Sequence, residues 1–243
     1  MPKDITVSLP DGNKKVLPSG SNGYDLASSI GSGLAKSAVA FRIGDDQFDL
    51  HDELQDQTTV SIITIQSDEG LEIMRHTIAA QVLACAIKNL FPKSKLAIGP
   101  TIENGFYYDI LFDTPISSDD LDKIEKEMRK IIKKGGFIKK SLHSKADALS
   151  KFKKNQETYK LKIIEESDQS KDFQIYTQED SGFIDLCKGP HLPSLSFVGE
   201  FKLLSIAGAY WQGDSNNEML TRIYGTAWRT KKELSDHLTQ IEE

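Results

Sequence analysis

The first 65 residues carry short alternating segments separated by turn residues, and this pattern restricts the fold more than any other feature. Ile5-Thr6-Val7-Ser8-Leu9 alternates, Pro10-Asp11-Gly12-Asn13 is typical of a turn, and Lys15-Val16-Leu17 returns as a second strand. The same reasoning predicts a helix at 24–30, ended by Gly31 and Gly33, and strands at 39–43, 47–50 and 59–63. A hairpin followed by a helix and further strands is the order of a ubiquitin-like β-grasp.

A short polar stretch at 66–70 separates this unit from a second one. Helical spacing then runs over 72–91, and Pro92 ends it. Further elements are predicted as strands at 106–110 and 173–176, a helix between Ser117 and Gly135, and a helix from Thr230 onwards. Because helices and antiparallel strands are segregated rather than alternating, the predicted class is α+β. We expect three parts, at 1–65, 66–228 and 229–243, of which the last is a linker helix.

The composition is that of an ordinary globular protein, with 38% hydrophobic and 27% charged residues. No apolar run approaches the roughly 18 residues of a membrane helix, and the N-terminus lacks the apolar stretch of a signal peptide. We therefore expect a cytoplasmic protein with no membrane partner. In a reducing compartment the two cysteines, Cys85 and Cys187, are expected to be free thiols.

The charge is unevenly distributed. A formal net charge of −6 excludes a protein that coats nucleic acid indiscriminately, because phosphate neutralisation requires excess Lys and Arg. Residues 123–154 nevertheless hold twelve Lys or Arg against three acidic residues, a local charge of +9. This segment is either a solvated helix face or a phosphate-contacting patch, for which Lys133 and Lys134 are the candidates.

Chemistry-bearing residues are densest in the segment Asp185-Leu186-Cys187-Lys188-Gly189-Pro190-His191. Gly189 and Pro190 forbid a helix there, so the thiol of Cys187 and the imidazole of His191 are expected to converge across a tight turn. The alternative is a buried cysteine and a hydrogen-bonded histidine in a loop. His76, on an apolar face of the predicted long helix, is likewise either a core residue or part of a site.

Five motifs occur in the order and with the spacing of one family. They are Ile98-Gly99-Pro100, residues 104–109 (NGFYYD), residues 187–191 (CKGPH), residues 208–211 (GAYW) with 213–216 (GDSN), and residues 222–228 (RIYGTAW). Together they resemble the N-terminal half of bacterial threonyl-tRNA synthetase, and the resemblance spans essentially the whole chain. It implies a TGS domain at 1–65, an editing domain at 66–228, and a linker helix leading to a catalytic core.

The resemblance implies hydrolysis of seryl-tRNA(Thr), with threonyl-tRNA(Thr) spared, by an activated water and without a required cofactor. A pocket built for threonine rejects serine by only about 1–3 kcal/mol, so a second pocket is needed. The implied partners are the acceptor end of the threonine tRNA and the catalytic and anticodon-binding domains of a synthetase. Both of those domains lie outside the resemblance, so this chain is not expected to make aminoacyl-tRNA.

The family's editing residues map onto His76, Tyr108, Lys160, Asp185, Cys187 and His191. Lys160 and His76 would position the water and the ribose hydroxyl, whereas Asp185 and His191 would hold the seryl amino and hydroxyl groups. Cys187 would shape the wall, because an ordinary thiol is mostly protonated at neutral pH and makes a poor nucleophile. Lys133 and Lys134 become candidates for tRNA binding.

The sequence departs from the family on the long helix, where the family carries two histidines four residues apart. Here Ala80 follows His76 at that spacing, and Gln81 comes next. One extra residue predicts a π-bulge that turns Gln81 into the pocket as a substrate ligand. Two other functions stay open: a non-catalytic tRNA-binding module, and a zinc hydrolase similar to the alanyl editing domains that would use His76, Cys187 and His191.

Overall fold

The protein is described by a computed structural model that covers residues 3–242. Met1, Pro2 and Glu243, at the outer ends of the predicted first domain and linker helix, lie outside the described residues. Within 3–242, no helix is both long enough and apolar enough to span a lipid bilayer.

The first unit is a small sheet covered by helices. Its elements are β1 (Ile5–Ser8), β2 (Lys14–Leu17), α1 (Gly23–Ile30), α2 (Ser32–Ser37), β3 (Ala38–Ile43), β4 (Asp46–Asp49) and β5 (Val60–Thr64). β1 and β2 form an antiparallel hairpin, and β3 lies between β4 and β5 in an antiparallel sheet. A parallel bridge between Ser8 and Thr59 joins the hairpin to that sheet. This arrangement confirms the predicted β-grasp.

Local sequence explains where α1 begins. Asn22 and Asp25 form a capping box, in which each side chain accepts a hydrogen bond from the other residue's backbone N–H. Leu26 then packs with Phe41 in the core of this unit. The predicted end of this helix at Gly31 is confirmed, because α1 stops at Ile30 and Gly31 is its C-cap. Gly33 does not act as a stop, since it lies inside α2, which was not predicted.

One continuous helix, Asp68–Leu90, connects the two units and is called the long helix below. It consists of α3 (Asp68–Thr77), a π-helical turn (Ile78–Leu83) and α4 (Ala84–Leu90). Ser67 caps its start by accepting from the Gly70 N–H. The π-helical turn confirms the bulge predicted from the extra residue in this helix. All six residues of the turn are buried, so the long helix runs through the main core.

Two sheets form the second unit. The first contains β6 (Lys95–Leu96), β7 (Thr101–Ile102), β8 (Gly105–Leu111), β12 (Glu200–Tyr210) and β13 (Met219–Trp228). The second contains β9 (Ile138–His143), β10 (Phe173–Gln178) and β11 (Ile184–Leu186), with β10 in the middle. The helices of this unit are α5 (Leu121–Lys134), α6 (Lys145–Lys154), α7 (Thr158–Glu166) and α8 (Lys231–Glu242). This mixture confirms the α+β class, whereas α6 and α7 were not predicted from the sequence.

Candidate active site

A cavity of about 1230 Å³ opens between the long helix, β8, α7 and the turn that follows β11. Five of the predicted site residues line it: His76, Tyr108, Lys160, Asp185 and Cys187. Residues 167–172, which connect α7 to β10, and the first two residues of β10 form part of its wall, and Asp46 of the first unit also borders it. Both units of the chain therefore contribute to the cavity.

Three of the predicted residues form a compact cluster at the long helix. Nε2 of His76 lies 2.7 Å from Sγ of Cys187, and the His76 ring stacks on that of His191 with centroids 4.6 Å apart. The Gly189 N–H donates to Sγ of Cys187, which holds the thiol across the turn. Burial of His76 lowers its pKa, because the charged imidazolium is desolvated there. His76 is therefore neutral at pH 7.

The hydroxyl of Thr77 decides which nitrogen of His191 carries the proton. Its single proton is donated to the carbonyl oxygen of Ile73 at 2.8 Å, so toward its other partners the oxygen is an acceptor. One of these partners is the Leu192 N–H, and the other is Nδ1 of His191 at 3.0 Å. Nδ1 of His191 is thus protonated and Nε2 keeps a lone pair. This Nε2 is buried and has no partner among the described residues.

A second group of predicted residues, also on the cavity wall, is formed by buried polar side chains. Nζ of Lys160 lies 2.8 Å from Oδ1 of Asp185 and donates to the hydroxyl of Tyr108 at 3.0 Å. Tyr108 in turn donates to Oδ2 of Asp185 at 3.1 Å. Burial, followed by the charge of Asp185, raises the pKa of Tyr108, so the phenol stays neutral. Each carboxylate oxygen of Asp185 therefore has a partner in this group, Lys160 at Oδ1 and Tyr108 at Oδ2.

The structure corrects the placement of Gln81. Ala80 lines the cavity, whereas the fully buried Gln81 accepts hydrogen bonds from Nε2 of Gln178 at its main-chain and side-chain oxygens. Ala80, four residues after His76, lies on the cavity face of the long helix, whereas Gln81 is turned into the core against Gln178. Gln81 is therefore not a cavity-lining substrate ligand, and the helix presents the methyl group of Ala80 to the cavity.

The basic segment is partly neutralised by neighbouring groups. Lys140 pairs with Asp49 and Asp52, and Lys139 pairs with Glu179. Lys133 and Lys134, by contrast, are exposed at the end of α5, and neither lines the cavity.

The ligating atoms of His76, Cys187 and His191 lie within 4.8 Å of one another, and their chemistry suits zinc. Two ligands on a tetrahedral zinc, with bonds of about 2.0–2.3 Å, would however lie about 3.6 Å apart. The 2.7 Å between His76 and Cys187 is that of a hydrogen-bonded pair instead. The described geometry therefore does not fit zinc unless these two side chains separate.

The sequence reasoning missed two residues that hold His191. Thr77 follows His76 directly, and its hydroxyl faces the imidazole of His191. Asp49 lies at the end of β4 and accepts from the His191 N–H. A buried threonine next to a candidate histidine is a signal that sequence could have offered, whereas nothing near Asp49 in the sequence indicates this contact.

Comparisons with known proteins agree with the two-unit architecture. The TGS domain family matches residues 5–64, and the family described as threonyl and alanyl tRNA synthetase second additional domain matches residues 174–224. The chain is thus a TGS domain joined to the editing domain of a tRNA synthetase.

Similarity to whole proteins specifies the family further. The chain is 49% identical over 240 residues to the threonine-tRNA ligase of Citrifermentans bemidjiense and 48% identical over 240 residues to that of Geobacter sp. strain M21. It is 46% identical over 239 residues to that of Francisella philomiragia. These matches cover 98–99% of this chain and 37% of each relative. The chain belongs with the N-terminal region of bacterial threonyl-tRNA synthetases.

Proposed function

We propose that this chain hydrolyses the ester of seryl-tRNA(Thr) and spares threonyl-tRNA(Thr). The observation that carries the proposal is the convergence of two polar groups, His76 with Cys187 and Lys160 with Asp185, on the wall of one cavity. The cavity volume of about 1230 Å³ exceeds that of most small-ligand sites, which leaves room for a terminal adenosine besides the amino acid.

In this proposal, Lys160 provides the positive charge of the site. Two of its ammonium protons are directed to Tyr108 and Asp185, and the third is left for the substrate. A donor held in this way would stabilise the oxyanion that forms when water adds to the seryl carbonyl carbon. Asp185 fixes the ammonium group before the substrate arrives, so the site needs little reorganisation.

The imidazoles would orient the attacking water. Nε2 of the neutral His76 is already bonded to Sγ of Cys187, whereas the buried Nε2 of His191 keeps a lone pair that would accept a proton from a water admitted beside it. The ester C–O bond then breaks, and the ribose hydroxyl leaves with a proton. Cys187 is hydrogen-bonded to His76 and forms part of the cavity wall. This sequence of steps uses no covalent intermediate and no metal.

Deacylation of purified seryl-tRNA(Thr) and threonyl-tRNA(Thr) by the full chain tests the proposal. We expect the seryl ester to be hydrolysed at least about tenfold faster, since one methyl group is worth about 1–3 kcal/mol. Equal rates on both esters would contradict the second-pocket argument. Lys160→Ala should slow hydrolysis about a hundredfold, whereas Lys162→Ala, on an exposed position of the same helix, should not.

Two alternatives each rest on one observation. Ala80 on the cavity face four residues after His76 favours a tRNA-binding module without hydrolysis, and the three potential ligands of the cluster would serve a zinc hydrolase only if His76 and Cys187 separate. The same assay with and without a chelator separates them. Hydrolysis that survives the chelator supports the proposed mechanism, loss of hydrolysis supports zinc, and tRNA binding without hydrolysis supports the module.

A further inference from the structure

Asp49 of the TGS domain has side-chain partners that all lie in the editing domain. Oδ1 accepts from the His191 N–H at 2.9 Å, and Oδ2 accepts from the hydroxyl of Tyr176 at 2.7 Å. Oδ2 also lies 3.1 Å from Nζ of Lys140, and the side chain is only 15% exposed. A side chain that served the β-grasp fold would bond within that domain, and this one does not.

These contacts secure the turn that carries the site. Tyr176 packs its ring against the ring of His191 at 83°, with centroids 4.4 Å apart. A Cβ at Gly189 would overlap the hydroxyl of Tyr176, so that hydroxyl also determines how closely the turn approaches the sheet. Asp49 therefore fixes the main chain of His191 directly and its ring through Tyr176. Thr77 fixes the same ring from the long helix.

The carboxylate of Asp49 thus connects the TGS domain to His191. Resting on the hydrolysis proposed above, we propose that Asp49 is a positioning residue for His191, so that the TGS domain completes the editing site. It acts through the main chain of His191 and through Tyr176, and it does not contact the substrate. The inference gives the β-grasp unit a role in hydrolysis besides any role in binding RNA.

Asp52 provides a matched control. It lies in the same segment and pairs with Lys140, as Asp49 does, but its side chain contacts neither His191 nor Tyr176 among the described residues. Asp49→Ala removes the anchor, and Asp49→Asn keeps an oxygen that accepts from the His191 N–H. Asp52→Asn removes the charge that pairs with Lys140 but keeps a side-chain oxygen for the Asp49 N–H, which Oδ2 of Asp52 accepts from.

We would measure kcat and KM for seryl-tRNA(Thr) deacylation in the full chain carrying each variant. Asp49→Ala should lower kcat about tenfold to a hundredfold with KM within about threefold, because a displaced catalytic group affects chemistry more than binding. Asp49→Asn should restore most of the rate, and Asp52→Asn should stay within about twofold of the wild type. Equal effects of Asp49→Ala and Asp52→Asn would overturn the inference.

Amide hydrogen exchange at His191 tests the anchor without any catalytic assay. The His191 N–H should exchange at least about tenfold faster in Asp49→Ala than in the wild type, and at the wild-type rate in Asp52→Asn. If the wild type fails to hydrolyse seryl-tRNA(Thr) but shows this exchange pattern, the proposed function fails and the anchor stands. If His191 exchange is unchanged in Asp49→Ala, the anchor is refuted even if hydrolysis is observed. Should Asp49→Ala not fold, Asp49→Ser, whose side chain is too short to keep the carboxylate contacts, replaces it in both measurements with the same expected and refuting results.

Discussion

Replacing Thr77 with valine would remove one hydroxyl at nearly constant shape and volume. That hydroxyl accepts from Nδ1 of His191 and from the Leu192 N–H, and it is fully buried. Each buried donor left without a partner costs about 1–3 kcal/mol, so we expect Thr77→Val to lower the free energy of unfolding by about 3 kcal/mol. Urea denaturation of the full chain measures this loss.

The same substitution has a chemical consequence, because His191 can escape an unpaired Nδ1–H by moving the proton to Nε2. Nε2 would then be a donor and no longer able to accept a proton from water. We expect deacylation to fall on the order of a hundredfold, as for the loss of a general base. Nitrogen NMR of His191 reports the tautomer directly, and Thr77→Ser, which keeps the hydroxyl, should restore both tautomer and rate.

Thr226 separates this effect from a loss of stability. Its buried hydroxyl donates to the carbonyl oxygen of Asn104 and accepts from Nε1 of Trp228, and neither partner lines the cavity. Thr226→Val should therefore destabilise the protein while leaving the deacylation rate of the folded chain intact. The reasoning is refuted if Thr77→Val keeps the Nδ1–H tautomer of His191, or if its rate matches that of Thr226→Val.

Three further outcomes are expected. Burial lowers the pKa of His76 in the folded state below its ordinary value of 6.5, so the stability that the neutral ring provides is present above pH 6.5 and is lost as the pH falls below that value. When unfolding is measured at several pH values, the free energy of unfolding should fall less steeply toward low pH in His76→Gln than in the wild type. The double variant Lys133→Gln and Lys134→Gln should reduce the slope of log tRNA affinity against log salt concentration by about two, whereas Lys139→Gln, whose charge is paired with Glu179, should change that slope less. If the double variant has the same slope as the wild type, the basic segment is a solvated surface and does not contact phosphates. Cys187→Ser should slow deacylation only mildly, and complete loss would favour a thiolate or a metal.

Local sequence predicts those helices, strands and turns whose conformation depends on residues close together in the chain. The β1–β2 hairpin follows from alternation and a turn, and α1 follows from helical spacing over 24–30, with a capping box from Asn22 to Asp25 at its start. The π-turn follows from one extra residue in the long helix, because a π-turn absorbs that residue while the apolar residues before and after it remain in the core. By contrast, α7, the helix that carries the buried Lys160, was not predicted.

The approach of Cys187 to His191 could also be predicted, because they are four residues apart and glycine and proline force a turn between them. The resemblance to the family, and not local reasoning, assigned Tyr108, Lys160 and Asp185. What those groups do was decided by contacts between distant parts of the chain. Thr77 and His191 are 114 residues apart, and Asp49 and His191 are 142 residues apart. Such pairs form only when the long helix and the TGS domain are packed against the editing domain, and no local pattern contains that information. Which imidazole nitrogen holds the proton, and whether Ala80 or Gln81 faces the cavity, are consequences of that packing. A hydrogen bond depends on angstroms and angles between atoms, whereas the sequence determines only which atoms are available to make it.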